Sequence, residues 1–347
     1  MRVALVIYGE LDQTTGGYLY DRKLVDYLKE SGDHVDILSI DDMGYFRNLL
    51  SRRTSLALEP SKLQDYDALI IDELCHSAVA GPIPKFARST CTLGLVHHLK
   101  CSEPQGRLIK KVASCIEKRF LDHVFGLICN SQTTAESCNL LTNKDIPSCI
   151  AKPATVSSIE TLTEDEIKRR ALHTGPVRIM FLGTVTPRKG LHYLLQALNQ
   201  VDSDMQLTII GSTSRDPDYA NRCRELAKGV SRHNPKFLNE VDQARVLEEL
   251  SQSDILAVPS DYEGYGIAYL EGFSAGLPCI ATAQGAPQEF VRDDENGFLI
   301  EPGDTAQLAQ RLDTLATDRT KLMHMSLNAR RTFAEHPSWQ ESFAKAR

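Results

Sequence analysis

Residues 259–289 of the chain read PSDYEGYGIAYLEGFSAGLPCIATAQGAPQE, and this stretch decides the expected fold. An apolar run at residues 255–258 stops where the stretch begins, and a second short apolar run follows at residues 279–281. Between the two runs come a loop with two glycines and an apolar pattern of helical spacing. The order strand, loop, helix, strand is typical of a parallel α/β sheet.

Two carboxylates lie within this stretch, Glu263 in the loop and Glu271 in the predicted helix. Gly264 and Gly266 let the backbone approach a ligand closely, and the free N–H groups of a helix's first turn bind anions. Glu271 lies about one helical turn further on, where its carboxylate can accept hydrogen bonds from hydroxyl groups. A phosphate at the helix end and sugar hydroxyls at the carboxylate together predict a nucleotide-sugar site.

The composition is that of an ordinary globular protein, with 42% hydrophobic and 24% charged residues. A length of 347 residues favours two domains, and a net charge of −7 argues against a general nucleic-acid binder. No run of eighteen apolar residues is present, so we expect no membrane-spanning helix. The N-terminus predicts a first core strand rather than a signal peptide, and we expect a cytoplasmic protein.

Strand-length apolar runs alternate with helical patterns along the whole chain, which indicates parallel sheets with crossover helices. A polar stretch at residues 153–175 interrupts this rhythm, which then restarts. We therefore predict an α/β protein with two Rossmann-like domains, at residues 1–155 and 156–330. The predicted strands are residues 3–7, 35–40, 68–72, 93–97 and 124–130, then 177–182, 207–210, 236–238, 255–258 and 279–281.

Glycines follow three of the predicted strands, where they permit the backbone to approach a diphosphate. These glycines are Gly16 and Gly17, Gly183, and Gly211. For Gly16 with Gly17 and for Gly211, a tight turn is the alternative explanation.

Arg188 and Lys189 are adjacent cations in the loop after the strand at residues 177–182. A bidentate Arg and a point-charge Lys suit different oxygens of a diphosphate leaving group. An isolated Arg-Lys pair would otherwise be a solvated loop.

His97 and His98 end a predicted strand in the first domain, and Asn130 with Ser131 ends the next one. Ligands of open α/β sheets bind at the carboxyl ends of the strands, which makes His97 a candidate site residue. A core histidine bonded to the backbone is the alternative for His97. A helix N-cap is the alternative for Ser131.

Two stretches of the first domain mix basic and apolar residues, at positions 45–53 and 107–120. They predict either amphipathic helices packed on their own sheet, or a face for an anionic acceptor or a membrane surface. Peripheral contact with the inner membrane face therefore stays open.

The order of these motifs resembles the retaining GT-B glycosyltransferases known as family 4, and the resemblance covers nearly the whole chain. Its most specific parts are the Glu-x7-Glu spacing from Glu263 to Glu271 and the segment FLGTVTPRKGLHYLLQAL at residues 181–198. The resemblance implies two Rossmann-like domains facing across a cleft, with residues 331–347 as a helix that crosses back to the first domain. It also implies a nucleotide-sugar donor and no metal or other cofactor.

Residue roles are carried over from the family position by position. The resemblance places Glu263 beside the transferred sugar and Glu271 on the ribose hydroxyls. The backbone of Gly264, Tyr265 and Gly266 would meet the sugar hydroxyls and the phosphate.

The resemblance assigns the diphosphate to Arg188 and Lys189 and a contact with the donor sugar to His97. Two positions depart from the family pattern. Thr184 stands where the family usually has Arg, and Asn239 corresponds roughly to a family glycine. Asn tolerates left-handed backbone, so the second departure need only alter a turn.

The leading hypothesis is a glycosyltransferase that uses a UDP-sugar, with a GDP-sugar as the second choice, and a glycan, lipid or small-molecule acceptor. Two alternatives remain at this stage. One is a nucleotide-sugar 2-epimerase, which resembles the chain less well in the Glu-x7-Glu segment. The other is a degenerate module that binds a nucleotide without chemistry, for which Thr184 is the support.

Overall fold

The computed structural model describes residues 1–13, 15–50, 58–88, 90–155 and 162–347, with the backbone alone at residue 50. Arg52 and Arg53 of the first basic stretch lie outside the described residues.

The chain divides into two compact units, one formed by Met1–Pro153 with Pro337–Arg347 and the other by Ala154–His336. We call these the first and the second unit. Each contains one six-stranded sheet, and every strand pair described in the two sheets is parallel. The predicted α/β class with two Rossmann-like domains is therefore confirmed.

The sheet of the first unit has the order β2-β1-β3-β4-β5-β6. Its strands are β1 (Arg2–Tyr8), β2 (His34–Ile40), β3 (Ala68–Asp72), β4 (Cys91–Val96), β5 (Gly126–Cys129) and β6 (Ser148–Ile150). The strand order reverses between β1 and β3, which is the place where such sheets bind ligands at the carboxyl ends of their strands.

The sheet of the second unit has the order β12-β11-β10-β7-β8-β9, and its order reverses between β7 and β10. Its strands are β7 (Val177–Leu182), β8 (Met205–Ile210), β9 (Lys236–Asn239), β10 (Ile255–Val258), β11 (Cys279–Thr282) and β12 (Gly297–Ile300). Ten strands overlap the predicted ones. β6 and β12 were not predicted.

The helices, in chain order, are α1 (Gly16–Glu30), α2 (Tyr45–Leu50), α3 (Pro60–Leu63), α4 (His76–Val79), α5 (Ile83–Phe86), α6 (Arg107–Leu121), α7 (Gln132–Thr142), α8 (Glu164–Ala171), α9 (Leu191–Leu198), α10 (Pro217–Gly229), α11 (Gln243–Gln252), α12 (Ile267–Ser274), α13 (Thr305–Thr317), α14 (Arg319–Ala334) and α15 (Trp339–Phe343). Short 3₁₀ turns lie at Glu73–Cys75, Lys100–Ser102, Pro187–Lys189, Ser231–His233 and Ala286–Glu289. Among the described helices, none combines the length and hydropathy needed to cross a lipid bilayer.

Both faces of the first sheet are covered by apolar side chains. Val3, Leu5 and Ile7 of β1 belong to one buried cluster, and Ala4 and Val6 belong to the other. This alternation follows from the two-residue period of a strand, and it explains why β1 reads as a continuous apolar run.

The C-terminal segment of the chain packs on the first unit. In α15, Trp339 and Phe343 stack with their ring centroids 5.4 Å apart, and both meet the ring of Tyr20 edge to face. α14 continues through residue 334, so the returning segment begins at Pro337 rather than at residue 331.

Candidate functional site

The loops that follow β7 and β10 meet at the switch point of the second sheet. Lys189 Nζ donates to Glu263 Oε1 at 2.6 Å, and Ser260 Oγ donates to the same oxygen at 2.5 Å. Arg188 Nη1 lies 3.7 Å from Glu263 Oε2 and donates to the carbonyl oxygen of Tyr262 at 2.7 Å. We call Arg188, Lys189, Ser260 and Glu263 the Lys189–Glu263 cluster. The fold thus brings together three of the predicted site residues from loops 74 positions apart.

The Lys189–Glu263 cluster holds a charged carboxylate in a buried place. Burial raises the pKa of Glu263, but attraction to Lys189 and Arg188, with the bonds from Lys189 and Ser260, outweighs it and lowers the pKa to about 2. The pKa of Lys189 is lowered, because burial outweighs the attraction of Glu263, which raises it. An ion pair of this kind keeps cationic groups at the switch point and fixes their direction.

Two glycines of this region are required by the backbone itself. At Gly190, with φ +71°, an added Cβ would lie 2.0 Å from the carbonyl oxygen of Pro259. At Gly211, with φ +153°, it would lie 1.9 Å from the carbonyl oxygen of Gly183. Close contact between main chains therefore accounts for Gly211 without a ligand.

The loop of Gly264, Tyr265 and Gly266 leads into α12. Gly266 is the N-cap of this helix, with φ +97°. The side chain of Tyr265 is buried, stacks on Phe290 at 5.0 Å and bonds through its hydroxyl to His336 Nε2 at 2.6 Å. Since the ring belongs to the core, Tyr265 offers only its backbone to a ligand.

Glu271 lies one turn into α12 and is partly buried. Burial raises the pKa of its carboxyl to about 7, against a smaller lowering by a hydrogen bond with the side chain of Gln243. Gln243 begins α11, and sequence analysis did not identify it because it lies 28 positions away in an ordinary polar segment.

The two departures from the family pattern have different surroundings. Asn239 has φ +58° and its carbonyl oxygen accepts from the N–H of Gly211, so the expected left-handed turn is confirmed. Thr184 is partly buried after Gly183.

In the first unit, His97 follows β4 and faces α1. Its Nε2 lies 3.0 Å from Asp21 Oδ1, and its ring meets Tyr20 edge to face at 5.2 Å. Gly17 lies against the imidazole, since an added Cβ would come 3.4 Å from His97 Cδ2. Gly16 and Gly17 begin α1, and Gly16 is exposed.

The backbone of His97 is also held. Asn130 Nδ2 donates to the carbonyl oxygen of His97 at 2.7 Å. Ser131 caps α7, as expected, by accepting from the N–H of Thr134. Sequence analysis missed Asp21 because nothing in the pattern of α1 separates it from a solvated helical carboxylate.

Among the described residues, two groups of carboxylates and histidines are close enough to consider as metal sites. These groups are Asp21 with Asp72 and His97, and Glu73 with His76 and Glu117. In both, a ring nitrogen lies 3.0 Å from a carboxylate oxygen: His97 Nε2 from Asp21 Oδ1, and His76 Nδ1 from Glu73 Oε1. We therefore interpret both as clusters that share protons.

The second unit matches the model of a known protein family. The sequence profile of the glycosyl transferases group 1 family matches residues 163–332, which hold the whole Lys189–Glu263 cluster. This region belongs to the glycosyl transferases group 1. A D-inositol 3-phosphate glycosyltransferase of Xylanimonas cellulosilytica is 27% identical over 253 residues, which is 70% of this chain and 59% of that protein. This chain spans 41% and 42% of the length of two other curated relatives.

Solved structures extend the likeness in fold to both units. Sucrose-phosphate synthase from Thermosynechococcus elongatus has a TM-score of 0.81 at 19% identity, with 99% of this chain and 97% of that one covered. Anabaena HepE in complex with UDP-glucose has a TM-score of 0.76 at 18% identity, with 100% and 99% covered. The predicted GT-B fold is therefore confirmed.

Proposed function

We propose that the protein is a retaining glycosyltransferase that moves a hexosyl group from a nucleotide-sugar donor to an acceptor. The Lys189–Glu263 cluster carries the proposal, because it places two cations at the ligand-binding edge of a parallel sheet. Such cations stabilise the charge of a leaving diphosphate, and the N-terminus of α12 favours the same charge. Retention of configuration is inferred from the likeness of the Glu263–Glu271 spacing to family 4.

Each site residue has a role in this proposal. Arg188 and Lys189 bind the diphosphate, and Glu263 orients them beside the transferred sugar. Glu271 accepts hydrogen bonds from the ribose hydroxyls, and His97 contacts the donor sugar. The backbone of residues 264–266 meets the sugar and the phosphate.

The donor is proposed to be a UDP-sugar, with a GDP-sugar as the second choice. The UDP-glucose complex of Anabaena HepE, a protein of the same fold, supports a uridine donor. The two cations supply the positive charge that a metal would otherwise bring to the diphosphate, so we propose that catalysis is metal-independent.

A donor panel followed by product analysis tests the function. UDP, GDP and their sugars are first ranked by thermal shift, since a ligand of the native state stabilises it by mass action. The best donor is then incubated with candidate acceptors, with and without chelator, and the anomer of the product is read by NMR. Transfer with retention in the presence of chelator is expected. If the donor is epimerised in the absence of an acceptor, the protein is the epimerase. If a nucleotide binds but no turnover occurs, the protein is the degenerate module.

Glu271→Gln is expected to weaken donor binding about tenfold at pH 8 and to abolish its pH dependence. A carboxyl with a pKa of about 7 binds hydroxyl donors in its ionised form, so wild-type affinity should fall roughly tenfold from pH 8 to pH 6. UDP-glucose suits this titration by calorimetry, because its diphosphate diester carries no proton in that range.

Glu248→Gln serves as the control, since Glu248 is exposed on α11 and pairs with Arg245. It should bind as wild type does at both pH values. If Glu271→Gln also kept wild-type affinity, Glu271 would not be a donor-binding residue.

The acceptor is proposed to be a lipid presented at an anionic membrane surface. In the first turn of α6, Leu108 is 76% exposed and Ile109 is 43% exposed, beside the basic residues Arg107, Lys110 and Lys111. The rest of the helix packs inward through Ala113, Glu117, Phe120 and Leu121. In α2, Phe46 is 57% exposed next to Arg47. Basic residues contribute about 1 kcal/mol each near such a surface, and exposed apolar side chains insert into it.

Co-sedimentation with liposomes at low salt tests this surface. Wild type should pellet with vesicles that contain anionic lipid and stay in solution with neutral ones. Leu108→Ser combined with Ile109→Ser should reduce binding several-fold, because the apolar contact is lost. Leu140→Ser, at a 79% exposed position of α7, should have no effect. Wild type that remains in the supernatant would favour a soluble acceptor instead.

A further inference from the structure

Three buried side chains meet at the switch point of the first sheet, where β3 and α1 approach the end of β4. The carboxylate oxygens of Asp21 and Asp72 and a ring nitrogen of His97 all lie within 4.8 Å of one another. Asp21 and Asp72 are 0% exposed and His97 is 8% exposed. Asp72 Oδ1 accepts from the N–H of Leu74, whereas Oδ2 of both Asp21 and Asp72 has no hydrogen-bond partner among the described residues.

We propose that Asp21 and Asp72 are positioning residues that hold His97 as an imidazolium, with Nε2 bonded to Asp21 and Nδ1 left to donate to the substrate. The proposal rests on the proposed function and adds two residues to it. Histidine would then act as a fixed cationic donor toward the sugar and not as a base.

Charge balance in the buried cluster supports this assignment. Two carboxylates this close repel each other unless one is protonated or a cation lies between them. Burial lowers the pKa of His97, but Asp21 and, less strongly, Asp72 and Glu73 raise it to about 9. Burial and the charge of Asp21 raise the pKa of Asp72 well above its usual range, against a lowering by His97. One carboxylate, one imidazolium and one neutral acid give zero net charge.

The neighbours of the imidazole fix its direction. Gly17 of α1 lies on the ring, Tyr20 meets it edge to face, and Asn130 holds its backbone carbonyl. Glu73, the next acidic group beyond Asp72, is itself paired with His76. With Nε2 committed to Asp21, a protonated ring keeps one N–H for a ligand.

The direct test is the NMR titration of His97 in the full-length protein with labelled histidine, its signal assigned as the one lost in His97→Gln. In wild type the ring should titrate near pH 9. In Asp21→Asn it should titrate at least one pH unit lower, because the charge and the charged acceptor are lost. Asp72→Asn should shift it less than half as far, since Asp72 raises the pKa of His97 less strongly than Asp21 does.

The transfer activity of the variants should depend on the positive charge of His97. Asp21→Asn should lower kcat at least tenfold at pH 8, and part of the lost kcat should return at pH 6. Asp21→Glu should have a higher kcat than Asp21→Asn at both pH values. Asp26→Asn, an exposed carboxylate on the same helix, should match wild type. A wild-type His97 that titrates near 6.5, or an Asp21→Asn that leaves the titration unchanged, would overturn the proposal. Because the titration needs no turnover, absence of glycosyl transfer would count against the proposed function alone.

Discussion

Replacing Lys189 with alanine is expected to lower turnover about 10²-fold while donor affinity changes only a few-fold. The reason is that Lys189 stabilises charge that grows on the diphosphate as the glycosidic bond breaks, and one such contact is worth about that factor. Rates and donor affinities are measured separately, by steady-state assay and calorimetry. Lys189→Met, which keeps most of the stem and removes the charge, should give the same result.

A control is needed because Lys189 also pairs with the buried Glu263. Lys228→Ala removes a surface lysine from a pair with Glu225 and should leave both parameters unchanged. Thermal unfolding of every variant shows whether the fold is kept. If Lys189→Ala lost affinity in full but kept wild-type turnover, Lys189 would belong to ground-state binding.

Gly190→Ala is expected to destabilise the native state by about 3 kcal/mol and to abolish transfer. The added methyl group must occupy space 2.0 Å from the carbonyl oxygen of Pro259, at a backbone conformation that L-residues disfavour. For a unit of this size, that corresponds to a fall in Tm of roughly 6–12 °C. Differential scanning calorimetry measures the effect.

Gly229→Ala is the matched glycine variant. At this position, near the end of α10, the nearest atom to an added Cβ is Asn199 Oδ1 at 3.9 Å, so the methyl group has room. Its Tm should stay within a few degrees of wild type. Equal unfolding temperatures for the two variants would mean that the loops after β7 and β10 adapt freely.

Sequence reasoning succeeded where the signal is local. The continuous apolar runs of β1, β7 and β10 predicted buried parallel strands, because a strand covered on both faces needs such residues throughout. The glycines and the carboxylates of the segment from Glu263 to Glu271 predicted the main loop and helix, because this signal too lies within one short segment.

What sequence reasoning missed depends on contacts between distant segments. The partnership of Glu271 with Gln243 and that of His97 with Asp21 join elements that are far apart in the chain. The close approach of Gly211 to the carbonyl oxygen of Gly183, just after the adjacent strand, was likewise not predicted. Only strand order decides such contacts.

The ion pair between Lys189 and Glu263 has a kinetic consequence. The Lys189 ammonium group has a carboxylate oxygen 2.6 Å away, so an arriving diphosphate must share or displace that partner. The same carboxylate competes again once the sugar has left. We therefore expect Glu263 to act as an intramolecular competitor that limits product inhibition, keeping the spent nucleotide from occupying the enzyme between turnovers.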